Sequence, residues 1–173
     1  MAQSDTATSI IKARVVLQQC LSARLQVQPQ TETSEAKYVE IGRGLVIYLC
    51  FLKEATTETA DKIVKTALNI LLSSNDEEKL VSVLELQGDV LIVPQATLGG
   101  TLKGKRMQYH KNIDKESGRY LYERFVKLCS EAVSKHSGKR DESREVRVLH
   151  GTYGNRQVLK IDTNGPYTHM LEF

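Results

Sequence analysis

The chain has 173 residues with 24 Lys and Arg against 21 Asp and Glu, a formal net charge of +3. That length fits about one domain of ~100–200 residues, and 40% hydrophobic with 26% charged residues is an ordinary globular balance. So mild a charge does not by itself announce a nucleic-acid binder, and no apolar run approaches the ~18–20 residues that span a bilayer.

Residues 1–9 are small and polar, with no basic and apolar segments of a secretory signal, and read as a disordered tail preceding a domain over 10–173. The three cysteines, Cys20, Cys50 and Cys129, are far apart and sit among apolar neighbours. They read as buried small hydrophobes in a reducing compartment, and the expected location is cytoplasmic.

Residues 10–27, rich in Val, Leu and Gln, read as one long strand, followed by a loop over 28–36. Two β-rich runs, 38–41 and 45–52, are joined by Gly42-Arg43-Gly44, which predicts a hairpin with glycine available for positive φ. A helix capped by Thr56 or Thr57 follows, with Ala60, Ile63, Val64, Ala67, Leu68 and Leu71 on one face. Runs 81–86 and 90–93 predict a second hairpin around Gly88-Asp89.

Residues 99–118 form a long, basic, glycine-containing stretch, of a kind that is uncommon in compact domains unless functional. The spacing predicts a second amphipathic helix over 119–136, then a charged loop over 137–144 and strands over 146–149, 157–161 and 167–173. The order of strands and helices argues an α+β domain, with two main helices on one side of largely antiparallel sheet.

Signatures of a side-chain nucleophile, a zinc protease or a redox dithiol are absent, and His110, His136, His150 and His169 are scattered. Gly99, Gly104 and Lys105 match the start of a phosphate-binding loop, but Arg106 stands where Ser or Thr should hold Mg²⁺. The same stretch has two other readings. Lys103, Lys105, Arg106 and Lys111, interleaved with Tyr109 and His110, suit a surface that tracks a phosphate backbone, or equally a solvated loop. Two short segments at strand edges complete the candidates: Pro94-Gln95-Ala96-Thr97-Leu98 and Asn164-Gly165-Pro166-Tyr167-Thr168.

These segments carry a resemblance. Arg14-Val15-Val16-Leu17-Gln18-Gln19-Cys20 is similar to the opening R-A-V-V-Q-R-V of the D-aminoacyl-tRNA deacylase family, and Glu40-Ile41-Gly42-Arg43-Gly44-Leu45 to its E-I-G-x-G-L. The family's two active-site motifs, S-Q-F-T-L and N-x-G-P-V-T, fall in the same order on residues 94–98 and 163–168. Pro94 and Ala96 replace Ser and Phe, Tyr167 replaces Val, the Asn is displaced to Asn164, and Gln19 stands in place of arginine. This combination resembles the family's animal branch.

The resemblance implies a homodimer of α+β subunits, barrel-like and layered β/β/α, that needs no cofactor or metal. Its partner would be mischarged aminoacyl-tRNA, not DNA or a membrane. It implies a proofreading esterase for D-aminoacyl-tRNA, glycyl-tRNA and L-alanyl-tRNA(Thr), assisted by the substrate's own 2′-OH. Gln95, Ala96 and Thr97 would form the catalytic segment, its main-chain N–H groups facing the oxyanion. Pro94, Leu98, Asn164, Gly165, Pro166 and Gln19 would serve binding and selectivity, and Lys103, Lys105, Arg106 and Lys111 would hold the tRNA. Because Gln19 lacks arginine's rigid fork, a trans Gly165–Pro166 bond and a roomier pocket are expected. A strict D-specific enzyme with a cis bond and a noncatalytic tRNA-binding module stand as alternatives.

Overall fold

The structure is a computed structural model that describes residues 10–137 and 145–173. The expected tail over 1–9 and all but the first residue of the loop expected over 137–144 lie outside the described residues.

The run expected as one long strand is two: β1 (Ala13–Cys20) and β2 (Ser22–Gln28), which enter different sheets. Strict alternation breaks at Leu17 and Gln18, both buried, and exposed Leu21 is the hinge between the sheets, its N–H donating to Asp162 O. Composition is uniformly strand-forming across this break, so only the pairing reveals it.

Strands β3 (Lys37–Ile41) and β4 (Gly44–Phe51) form where expected but do not pair with each other. β3 pairs with β2 and β4 with β1, so Gly42–Arg43 is a corner between sheets rather than a hairpin turn. Gly44 needs no positive φ; a Cβ there would lie 1.9 Å from Asp89 O, so its glycine is a matter of close approach.

Helix α1 (Thr57–Asn69) starts at Thr56, whose side chain and that of Thr59 form a reciprocal cap. The second expected hairpin is replaced. Strands β5 (Ser73–Ser74) and β6 (Leu80–Val81) pair with each other, and residues 83–86 form a short helix, α2 (Val83–Leu86). Ser82 accepts from Glu85 N–H while the Glu85 carboxylate accepts from Ser82 N–H, a capping box that outweighs the strand-forming valines.

Strand β7 (Asp89–Pro94) then runs parallel to β4. The basic stretch holds a 3-10 turn over Ala96–Gly99 and a small hairpin, β8 (Thr101–Lys103) and β9 (Arg106–Gln108), turning at Gly104 with φ 60°. Helix α3 (Lys115–Ser137) begins four residues before the expected start, capped by Asp114 accepting from Ser117 N–H. Strands β10 (Val148–His150), β11 (Val158–Asp162) and β12 (Thr168–Glu172) complete the chain.

The architecture is α+β, in three layers. A five-stranded sheet ordered β10-β7-β4-β1-β12 is antiparallel except where β7 joins β4 and β10. One face buries Val15, Leu17, Ile47 and Ile92 against Ile63 and Leu68 of α1 and Phe125 and Cys129 of α3. The other face packs Val46, Leu91 and Val93 on Leu25 and Ile41 of a three-stranded sheet, β11-β2-β3. Each fully buried Leu, Ile or Val side chain contributes roughly 1.5–3 kcal/mol of apolar burial. Among the described residues the sheets remain open at β10 and β12, so the layered expectation holds without barrel closure.

One buried charge ties the corner together. Asp89, 1% exposed, accepts from Gly42 N–H at 2.9 Å, Arg147 N–H at 3.0 Å and the Arg147 guanidinium at 2.8 Å. Burial, the largest single influence, raises its carboxyl pKa, yet the hydrogen bonds and the guanidinium together hold it below the ordinary value.

Candidate active site

The site forms where β7 leaves the sheet. Gln95 N–H makes a last bond to Leu49 O at 2.9 Å, and the chain then tightens into the 3-10 turn. Pro94 is the last residue of the strand and has no N–H of its own to donate, so the final ladder bond is made by Gln95. Beside the turn opens a cleft of about 680 Å³, walled by Tyr48, Tyr122 and Tyr153 and by Pro94, Gln95, Ala96 and Thr97.

The Gln95 side chain turns back onto the turn, its Nε2 donating to Thr97 Oγ1 at 2.6 Å. The Thr97 hydroxyl thus has an amide donor beside it and, among the described residues, no imidazole or carboxylate to accept its proton, which is not the environment of an activated nucleophile. No protein acceptor among the described residues meets the N–H groups of Ala96 and Thr97. The Ala96 carbonyl, by contrast, is held: Asn112 Nδ2 donates to it at 2.8 Å and the Cys50 thiol approaches at 3.6 Å.

Among the described residues the lining of the cleft contains no Asp, Glu or His. Its tyrosines and Cys50 titrate above their ordinary values, chiefly because burial disfavours the charged forms, so they stay neutral near pH 7. Cys20 is pushed up to about 11 and Cys129 to about 12 by the same cause, and all three cysteines are free and buried, as expected. The charged groups at the cleft are two cations, Lys115 at the start of α3 and Arg156 in the loop after β10.

The expected site residues divide. Pro94, Gln95, Ala96 and Thr97 line the cleft, and Ala96 presents only a methyl there. Leu98 lies behind the turn, its carbonyl accepting from the Arg14 guanidinium at 2.9 Å while Arg14 Nε pairs with Glu172 at 3.0 Å. Asn164, Gly165 and Pro166 are exposed between β11 and β12 and take no part in the lining of the chain's own cleft.

The Gly165–Pro166 bond is cis, which corrects the expected trans bond. That expectation looked for restraint only in the side chain at position 19. The following Tyr167 carbonyl is instead held by Gln19 N–H at 3.3 Å and Gln18 Nε2 at 3.2 Å, and the Thr168 hydroxyl donates to Gln18 Oε1. The neighbouring glutamine and the backbone therefore anchor this loop without an arginine fork.

Lys103, Lys105 and Arg106 are exposed on the β8–β9 hairpin, and Lys111 is exposed just beyond it. None of the four lines the cleft, but the hairpin leaves directly from the 3-10 turn: a Cβ on Gly100 would lie 2.6 Å from Met107 and 2.9 Å from Tyr109. Five cleft residues carried no local signal in the sequence: Asn112, Lys115, Tyr153, Arg156 and Gln157. The buried Gln157 Nε2 has no protein partner, and Gly118 is glycine because a Cβ there would meet the Tyr153 hydroxyl at 2.1 Å.

A layered α+β domain with an aromatic-walled cleft and a turn of open backbone donors defines a class of binding or hydrolytic domain that works through main-chain groups. The comparisons with known proteins narrow this. A family model described as D-Tyr-tRNA(Tyr) deacylase matches residues 16–172, and the chain belongs to that family. It is 59% identical to the D-aminoacyl-tRNA deacylase 2 of Danio rerio, covering 94% of this chain and all of the relative. With the Homo sapiens protein of the same name it shares 57% identity over 95% of this chain and 96% of that one, which places it in the family's animal branch.

A solved structure described as a probable eukaryotic D-amino acid tRNA deacylase superposes with a TM-score of 0.78 at 30% identity, covering 94% of this chain and all of that one. A c-Myc DNA unwinding element binding protein shares the fold, with a TM-score of 0.75 at 23% identity.

Proposed function

We propose that this chain is an aminoacyl-tRNA deacylase that hydrolyses the ester between a mischarged amino acid and the terminal adenosine of tRNA. The observation that carries the mechanism is the turn at 96–97: among the described residues, its two backbone N–H groups have no protein partner, and the cleft beside them is lined by no carboxylate or imidazole. Donors of this kind, aimed at the oxygen where charge develops, stabilise the tetrahedral intermediate without moving. The ester is already activated, and its neighbouring 2′-OH assists attack, so positioning supplies much of the remaining acceleration. Gln95 and Thr97 orient the substrate, and Thr97 does not attack it.

The substrates read as D-aminoacyl-tRNA together with glycyl-tRNA and L-alanyl-tRNA(Thr). The support for small substrates is the Ala96 methyl at the cleft, where the resemblance expects Phe. Lys103, Lys105, Arg106 and Lys111 grip the acceptor end, since a deacylase needs to hold only that part of the tRNA. The exposed Gly165–Pro166 loop serves a partner's cleft in a homodimer, and the protein works in the cytoplasm.

Deacylation of D-Tyr-tRNA and of L-Ala-tRNA(Thr) tests this reading. Cleavage of both is the expected result. Cleavage of the first alone marks a strict D-specific enzyme, and cleavage of neither, with tRNA still bound, marks a noncatalytic module and overturns the proposal.

A further inference from the structure

The turn's open N–H groups need an aim, and the aim must come from whatever holds the other side of the same peptides. The peptide joining Ala96 to Thr97 is planar and trans, so its C=O and N–H point in opposite directions. Fixing the Ala96 carbonyl therefore fixes the direction of the Thr97 N–H. Of the side chains on that carbonyl, Asn112 Nδ2 donates at 2.8 Å, closer than the Cys50 thiol at 3.6 Å.

Asn112 is itself clamped. Its N–H donates to Tyr109 O at 3.0 Å, Ile113 N–H donates to Phe51 O at 3.2 Å, and Asn112 bridges to Leu52. Its Oδ1 is buried without a hydrogen-bond partner among the described residues. An unpaired buried acceptor is destabilising, so stability alone does not account for an asparagine here. Flipping the amide offers no relief, because it would set Oδ1 against the Ala96 carbonyl oxygen.

Room for this amide is made by Gly99. A Cβ on Gly99 would lie 1.8 Å from Asn112 Oδ1 and 2.7 Å from Asn112 Cγ. The φ of Gly99 is not positive, so the backbone there does not call for glycine. The space for Asn112 does.

We infer that Asn112 is a positioning residue for deacylation: by donating to the Ala96 carbonyl it orients and polarises the Ala96–Thr97 peptide, so that the Thr97 N–H is directed at the developing oxyanion, and Gly99 exists to admit it. The inference rests on the proposed oxyanion role of the turn. Hydrogen bonding at a peptide carbonyl also strengthens donation from the same peptide's N–H, because polarised amides cooperate.

The test is single-turnover deacylation of D-Tyr-tRNA by wild type, Asn112→Asp, Asn112→Ala, Gly99→Ala and the Gly99→Ala/Asn112→Ala double variant, each first shown to be folded by its melting transition. Failure of wild type to cleave defeats the deacylase reading itself. Given wild-type cleavage, the maximal rate of each single variant falls about tenfold to a hundredfold, as for other misplaced catalytic geometry, with half-saturating tRNA changed less than about twofold. The double variant falls no further than the worse single one, because removing the amide removes the two closest contacts of the new Cβ and leaves Cys50 Sγ next at 3.1 Å. Asn112→Asp, which keeps shape and reverses donor to acceptor, carries the test should either alanine variant not fold. Wild-type rates in a folded Asn112→Asp, a change confined to half-saturation, or losses in the double variant that multiply would each overturn the inference.

Discussion

Strand β7 begins and ends in opposite conditions. At its start, Asp89 is a buried carboxylate that accepts from two backbone N–H groups and a guanidinium. At its end, the backbone leaves the sheet with the N–H groups of Ala96 and Thr97 unmet by any described residue and a cleft beside them. The saturated end anchors the corner between the two sheets; the unsaturated end is available to a substrate. Polar satisfaction stabilises a fold, and its local absence marks where the protein expects another molecule's atoms.

The largest effect should come from breaking the saturated end. Asp89→Ala leaves Arg147 and two N–H groups without their acceptor, and a loss of about 3–5 kcal/mol in unfolding free energy is expected from urea titration. A loss below about 1 kcal/mol would show that the clip is ornamental.

Acid sharpens the same point. Because the folded carboxyl is held below its unfolded value near 3.9, its contribution is fully present above that value. It is lost as pH falls through the ordinary carboxylate range toward the lower folded value. The stability gap between wild type and Asp89→Asn should therefore narrow as the titration is repeated at falling pH. A gap that widens contradicts the assignment.

The unsaturated end predicts smaller changes, in rate rather than stability. Thr97→Ala removes the acceptor that orients the Gln95 amide, and single-turnover deacylation should slow about tenfold, the scale of lost positioning. Abolished chemistry with tRNA binding intact would instead make Thr97 a nucleophile. The rate should also show no imidazole inflection near pH 6.5, since the cleft lining holds no histidine. Smallest is the hairpin. Lys105→Glu with Arg106→Glu should weaken tRNA binding and reduce its salt slope by about one for each phosphate no longer neutralised, leaving the maximal rate unchanged.

Much of this contrast was legible before the fold. Helix α1 and the run that became β7 follow from periodicity, and the order of the 94–98 and 163–168 motifs located the turn. Partnership was not legible: the β-rich composition of β3 and β4 marks them as strands but does not show that each pairs elsewhere. The Ser82 and Glu85 capping box was visible in the chain, yet the surrounding valines favoured a strand. Asn112, Lys115 and Arg156 reach the cleft only because α3 starts early and the β10–β11 loop folds over it. The Gly165–Pro166 geometry was misjudged because the restraint comes from Gln18 and backbone rather than from the substituted position.

The central claim is that the protein contributes backbone donors and positioning while the substrate contributes the assisting hydroxyl. Its most direct test is single-turnover cleavage of D-Tyr-tRNA whose terminal adenosine lacks the 2′-OH. The rate should fall about a hundredfold or more, the scale of a lost proton-transfer group, with binding retained. Cleavage at the unmodified rate would contradict the account and require a catalytic side chain in the cleft.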